Sequence, residues 1–243
     1  MKRPLLLIQT GEAPEPIAAR FGRFADWFRR AMRLDAAEFK VVRVDAGAPL
    51  PAHASVAGAV ISGSGAMVTE RADWSERTAR WIREAAGLQT PVYGVCYGHQ
   101  LMAHALGGTV GWLAGGREIG TQVITRDAAS RADGLGPLPA TFPAQTTHRQ
   151  SVLQPPAAAE VLASSRRDPY QLLRYGPQLL SSQFHPEFTA DIMRAYISAR
   201  AGALRTEGLD PDALEQDVEA TEAARGLLER FARRALAAAE SRQ

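Results

Sequence analysis

Residues 91–108 read P-V-Y-G-V-C-Y-G-H-Q-L-M-A-H-A-L-G-G, and the apolar period changes in the middle of the run. Before Cys96, the only cysteine in the chain, lies a short apolar stretch at 91–95; after it Leu101, Met102, Ala105 and Leu106 recur at helical spacing. The segment is therefore a strand, a sharp turn and a helix, and such a turn lifts the side chain at its apex above the sheet. Gly94 and Gly98 flank the apex and let the backbone bend tightly. A lone cysteine is ordinarily a buried, inert thiol. At the start of a helix, however, the macrodipole favours the thiolate, and the N–H of Tyr97 points toward an oxyanion formed beside the sulfur. Cys96 reads as a nucleophile.

Outward from this segment, strand-like runs at 5–9, 40–45, 58–62 and 92–96 alternate with helical patterns. One helix is expected over 16–34, where Ile17, Phe21, Phe24, Phe28 and Met32 repeat every three or four residues, and another over 73–86. Strands alternating with helices make βαβ units and a parallel sheet, whose functional loops lie at the carboxyl ends of the strands. The expected fold is α/β, a flavodoxin-like doubly wound sheet. From 107 to 183 the helical period disappears, and strand candidates at 118–125 and 171–175 predict a mixed or antiparallel extension of the sheet. The proline-rich stretch 137–143 reads as a loop. Asp210 and Pro211 supply an N-cap and first helical residue for a tail carrying Leu214, Val218, Ala224, Leu227, Leu228 and Phe231. Packing of these helices on the domain is the simpler reading, and a docking or dimer surface the sharper one; residues 235–243 are expected to fray. The division is a domain at 1–205 and a C-terminal helical extension at 206–243 packed on it.

A nucleophilic thiol needs a base. Of the five histidines, His185 has the most specific setting: residues 178–187 read Q-L-L-S-S-Q-F-H-P-E, an apolar strand, then His185, Pro186 and Glu187. The proline fixes the turn, and the carboxylate two residues on can hold Nδ1 so that Nε2 faces the thiol. His99 and His104 fall on the helix after the turn and read as structural, and His53 has no partner at informative spacing. His148 remains open between a site residue and an ordinary strand-end histidine.

The pair of motifs G-V-C-Y-G-H-Q and Q-F-H-P-E-F, with A-L-G-G between them, resembles the class I glutamine amidotransferases, over about residues 5–197. The resemblance implies Cys96 as nucleophile, with His185 and Glu187 completing a triad. Residues 58–68, G-A-V-I-S-G-S-G-A-M-V, match the loop that gives the family its second oxyanion N–H; Ser64 stands where a second glycine is usual and Gly65 where proline is usual. A backbone donor survives such changes, so the implied oxyanion hole is Ser64 with Tyr97. By the same resemblance Gly63, Gln100, Thr147, His148 and Arg149 line the substrate site.

The implied reaction is hydrolysis of the side-chain amide of L-glutamine through a γ-glutamyl thioester, without metal or organic cofactor. The chain shows no S-G-G-x-D-S loop and no P-loop, so use of the ammonia calls for a separate synthase partner. An alternative is a γ-glutamyl peptide hydrolase with the same triad, because Ser62, Gly63 and Ser64 also match the oxyanion loop of that branch. A third is a non-catalytic binding or regulatory domain that kept the fold.

Bulk properties fit a soluble enzyme: 243 residues, 46% hydrophobic and 22% charged, suffice for a sizeable core. A net charge of +2 calls for neither nucleic acid nor an anionic membrane. One cysteine excludes an internal disulfide, and no Cys/His cluster has zinc-ligand spacing. The apolar run after the basic start spans only residues 5–8 and is followed by acidic residues, which reads as a first core strand rather than a signal peptide. No stretch approaches the ~20 apolar residues of a membrane span, and the expected compartment is the reducing cytoplasm.

Overall fold

The computed structural model describes residues 2–127, 136 and 138–241. In chain order the elements are β1 (Leu5–Gln9), α1 (Glu15–Phe21), α2 (Phe24–Met32), β2 (Phe39–Arg43), β3 (Gly58–Ile61), α3 (Asp73–Leu88), β4 (Val92–Val95), α4 (Tyr97–Ala105), β5 (Thr109–Trp112), β6 (Glu118–Arg126), β7 (Thr141–His148), β8 (Gln150–Gln154), β9 (Glu160–Ser164), β10 (Leu172–Arg174), β11 (Leu179–Ser182), α5 (Ala190–Ala199), α6 (Ala201–Thr206), α7 (Pro211–Gln216) and α8 (Glu222–Glu240).

The main sheet runs β2-β1-β3-β4-β11-β10-β9-β6-β7, and β5 pairs with β8 in a separate ribbon. Strands β2, β1, β3, β4 and β11 are parallel; β10, β9, β6 and β7 continue the sheet antiparallel. This is the flavodoxin-like doubly wound order with an antiparallel extension. The chain reverses direction across the sheet between β1 and β3, so their carboxyl ends open a crevice.

Alternation along β1 builds two apolar layers. Leu5 and Leu7 join Trp27, Phe28, Phe188, Ile192, Leu228 and Phe231 on one face; Leu6 and Ile8 join Ala79, Ile82, Leu101 and Met102 on the other. Strands buried on both faces read as continuous apolar runs, which explains the four uninterrupted core positions at 5–8.

Three expectations need correction. The helix expected over 16–34 is two helices, broken at Gly22, which takes φ 85°. The break is held by the Phe21 carbonyl, which accepts from Trp27 Nε1 at 3.0 Å and Arg30 Nη2 at 2.8 Å, and by Asp26, which accepts from the Arg23 N–H. Both pieces bury the same face, so the apolar period runs on through the break. The loop expected at 137–143 gives way to β7 at Thr141, and Pro143 sits in the ladder opposite Val123; residue 137 lies outside the described residues. Strand β7 is the edge of the sheet, where a missing N–H need not cost a ladder bond. The tail is α7 and α8, and α8 remains helical to Glu240 instead of fraying from 235, with Ala235 and Ala239 buried and Glu240 2.8 Å from Lys2; residues 242–243 lie outside the described residues. His53 meets neighbours distant in sequence: its ring stacks on Trp81, centroids 4.2 Å apart, and lies 3.6 Å from Glu84.

Asp210 caps α7 through its side chain, which accepts from the N–H groups of Asp212 and Ala213. Helix α8 lies against the sheet, with Phe231 edge-on to Tyr93 at 5.4 Å. No helix of the described residues is long and apolar enough to cross a membrane.

Candidate active site

Strand β4 ends at Val95 and α4 begins at Tyr97, leaving Cys96 alone at the apex with φ 50° and ψ −99°. That conformation lies outside the left-handed well used by Arg33, Arg71 and Gln89, which have ψ near +40°, and it is costly for a residue with a Cβ. The turn is tight because the strand and the helix nearly touch. A Cβ on Gly94 would meet the Gly98 carbonyl oxygen at 2.5 Å, and one on Gly98 would meet the Ile61 carbonyl oxygen at 2.5 Å. Neither glycine takes a positive φ; what they supply is space.

His185 arrives just past the end of the neighbouring strand. β11 pairs parallel with β4, Ser182 opposite Val95, and the Cys96 N–H donates to the Ser182 carbonyl at 2.8 Å. Three residues on, the His185 N–H donates to the Gln145 carbonyl at 2.8 Å. The imidazole Nδ1 lies 2.8 Å from Glu187 Oε1, and the ring stacks on Phe188 with centroids 4.2 Å apart. Nε2 is buried without a hydrogen bond. Burial disfavours the imidazolium, but Glu187 and then Cys96 outweigh it and push its pKa up to about 10. Gly63 shows how close the parts lie: a Cβ there would fall 3.0 Å from His185 Cε1 and 3.6 Å from Cys96 Cβ.

The loop at 62–65 is pinned by a residue that sequence reading missed. Thr10, just past the carboxyl end of β1, has Oγ1 3.0 Å from the carbonyls of both Ser62 and Gly63, and its N–H donates to Ser62 Oγ. Its position at the reversal between β1 and β3 was the available signal. Ser64 Oγ accepts from the Ala66 N–H, and Tyr97 contributes the first N–H of α4, one of those with no carbonyl inside the helix.

A cavity of about 260 Å³ opens above Cys96, bordered by Ser64, Gln100, Thr147, His148, Arg149 and Arg200 among others. Gln100 is committed on its donor side: Nε2 donates to the Gln150 carbonyl at 2.7 Å and to Gln183 Oε1 at 3.0 Å. Its Oε1 is left as the acceptor. His148 borders the cavity, but its ring turns away: Nε2 lies 2.9 Å from Glu118 Oε2, Nδ1 lies 3.0 Å from the Gln150 carbonyl, and the side chain is 1% exposed. Both nitrogens thus face protein oxygens rather than the cavity. Burial opposes ionisation of Glu118, but His148 and Ser165 outweigh it and hold the carboxyl below its usual range. Asp168, 4.0 Å from the same imidazole, is raised by burial. Glu118, Asp168, Gln150 and Gln183 had no motif around them, and their role as a buried polar floor emerges only when β6, β8, the turn after β9 and β11 meet. Thr147 borders the cavity, whereas Gly63 does not line it and is buried against His185 and Cys96. His99 bonds Ser181 at 2.8 Å and is driven down to about 3 by burial, which makes it a neutral core residue. His104 bonds Glu76 at 3.0 Å.

The structure thus places a cysteine at a strand-turn-helix apex beside a histidine and a glutamate, on a doubly wound sheet. Residues 21–201 match the family described as glutamine amidotransferase class-I, and the chain belongs to that family. Among curated relatives it is 31% identical over 139 residues to gamma-glutamyl peptidase 5 of Arabidopsis thaliana, covering 56% of this chain and 55% of the relative. It is 38% identical over 132 residues to one of the subunits of the glutamine-hydrolyzing GMP synthase of Methanopyrus kandleri, covering 54% of this chain and 66% of the relative. Against the full GMP synthase of Aeropyrum pernix the match is 34% over 131 residues, covering 54% of this chain and 24% of the relative. The chain thus spans about half the length of the peptidase relatives and about a quarter of the full synthases. A solved glutamine amidotransferase from Thermotoga maritima superposes with a TM-score of 0.75 at 22% identity, over 97% of this chain and 99% of that one. One from Methylobacillus flagellatus gives 0.76 at 23%, over 99% and 95%. At these identities the likeness speaks for the fold.

Proposed function

We propose that the chain hydrolyses the γ-amide of L-glutamine, with residues 1–205 as the glutaminase domain and 206–243 as a helical extension of it. The single observation behind this reading is the convergence of Cys96, His185 and Glu187 at the carboxyl ends of two adjacent parallel strands. The Cys96 sulfur attacks the amide carbon, and the N–H groups of Tyr97 and Ser64 hold the oxyanion. The imidazolium, favoured by Glu187, gives its proton to the departing ammonia. Water then enters with His185 as base, breaks the thioester and releases glutamate. Gln100 Oε1 suits the α-ammonium of the substrate, and Thr147, His148 and Arg149 form the facing wall. Ammonia passes to a separate synthase partner, a reading supported by the similarity to part of a GMP synthase.

A second reading, hydrolysis of a γ-glutamyl peptide by the same residues, is favoured by the similarity to a gamma-glutamyl peptidase and by the arginines around the cavity. The test is glutamate release from glutamine and from γ-glutamyl dipeptides, with Cys96→Ala as control. Release by the native chain and none by the variant supports the nucleophile; release by Cys96→Ala overturns it.

A further inference from the structure

Three guanidiniums border the cavity above Cys96: Arg117 from the turn before β6, Arg149 from the link between β7 and β8, and Arg200 from the junction of α5 and α6. One carboxylate answers them. Arg117 is held by Glu207 through two bonds, Nε at 2.8 Å and Nη2 at 2.9 Å. Arg149 lies over the Trp112 ring at 5.5 Å, and Arg200 over the Tyr196 ring at 4.5 Å. Among the described residues neither has a carboxylate within ion-pair distance, and Arg200 Nη1 is buried with no hydrogen-bond partner. A cation taken from water and left without an acceptor costs free energy unless an anion arrives from outside. Burial, together with Arg117 and Arg149, works against the charged form of Arg200, while Tyr196 and Cys96 favour it.

The proposed reaction needs one negative group held, the α-carboxylate of the glutamyl moiety, and Arg149, on the wall facing Gln100, is a cation available to it. Ammonia leaves as a neutral molecule and needs no cation. Arg200 and Arg117 come from other elements, at the α5–α6 side of the cavity with Ala203. We propose that Arg200, supported by Arg117, binds a carboxylate on the leaving group, so that the site takes γ-glutamyl amino acids in which the departing amine carries a free carboxyl. This rests on the thioester reading of Cys96 and extends it to the second substrate class. For γ-glutamylglycine the balance is simple: the Sγ–C bond forms as C–N breaks, the His185 proton goes to the amine of glycine, and water later replaces sulfur to give glutamate. No oxidant or co-reactant enters.

The decisive comparison is kcat/KM for γ-glutamylglycine against γ-glutamylglycinamide, which differ only in the terminal charge. The native chain should prefer the acid at least tenfold, Arg200→Gln should reduce that ratio to below threefold, and Arg200→Lys should keep an intermediate ratio. Equal losses on both substrates would assign Arg200 to the glutamyl end, and a native ratio near one would remove the subsite; either overturns the proposal. The same ratio read as Kd by calorimetry on Cys96→Ala judges the subsite without turnover. Labelling of Cys96 by 6-diazo-5-oxo-L-norleucine judges the thioester reading separately. A charge preference in binding with no labelling would retain the anion subsite and reject the catalytic role of the thiol; labelling without any charge preference would do the reverse.

Discussion

Cys96 holds a backbone conformation that only a residue without a Cβ adopts comfortably. Cys96→Ala keeps that strain, whereas Cys96→Gly removes ~1–3 kcal/mol of it and gives back roughly 0.5–1 kcal/mol in unfolded-state entropy. Urea unfolding should therefore find the glycine variant at least as stable as the alanine variant, with no glutamate release from either. A less stable glycine variant would mean that the turn relaxes once the thiol is gone. His185 gives a second residue-scale prediction. Its folded pKa is raised to about 10 from an ordinary value near 6.5, so the protonated pair with Glu187 stabilises the fold fully below about pH 6.5 and progressively less as pH rises toward 10. The melting-temperature gap between the native chain and Glu187→Gln should be widest near pH 6 and shrink by pH 10; a constant gap would exclude the ion pair as its source. Cys96, His185 and Glu187 were legible in sequence because their two motifs are short and locally constrained. Thr10 and Glu118 were not, because each acts on partners far away in sequence and carries no motif of its own.

At the scale of elements, the contacts of α4 with β4 and with β3 leave no room for a side chain. Gly94→Ala and Gly98→Ala both drive a Cβ to 2.5 Å from a backbone carbonyl oxygen. Neither carbonyl belongs to a flexible side chain. Each substitution should cost roughly 2 kcal/mol or more in urea unfolding, at the upper part of the range for overpacked cores. A loss below 1 kcal/mol would show that the strand and helix can slide apart. The strand-turn-helix was readable because a short continuous apolar run gives way to a 3.6-residue period across one residue. The break between α1 and α2 was not, because both helices present apolar faces to one layer and a single glycine leaves the period intact. Pro143 misled for a different reason: proline excludes the interior of a sheet, and sequence alone does not say which strand is the edge.

At the scale of the molecule, the tail closes one face of the sheet. Phe231 packs on Tyr93, and the segment between α7 and α8 is tied to the extension: Gln145 Nε2 donates to the Glu219 carbonyl at 2.8 Å, and the Glu219 N–H donates to Thr121 Oγ1 at 3.1 Å. Gln145 also accepts the His185 N–H, which links this contact to the turn bearing His185. Phe231→Ala should destabilise by about 3–5 kcal/mol in urea unfolding; a cost near zero would make α8 a peripheral attachment. Parallel sheet, antiparallel extension and terminal helices were all foreseen from periodicity, whereas the order in which β6, β9 and β10 join was not. Antiparallel partners are chosen by tertiary packing, and short strands of similar composition can exchange places without changing the pattern.

The pairing of β4 with β11 also has a consequence for the life of the chain before it is complete. Strand β4 is synthesised more than eighty residues ahead of the partner that fills the gap between it and β10. While the ribosome works through that interval, the thiol at 96 has no imidazole beside it. Assembly of the sheet thus acts as a timer for the proposed chemistry: Cys96 and His185 are brought together only when the last central strand is threaded into place.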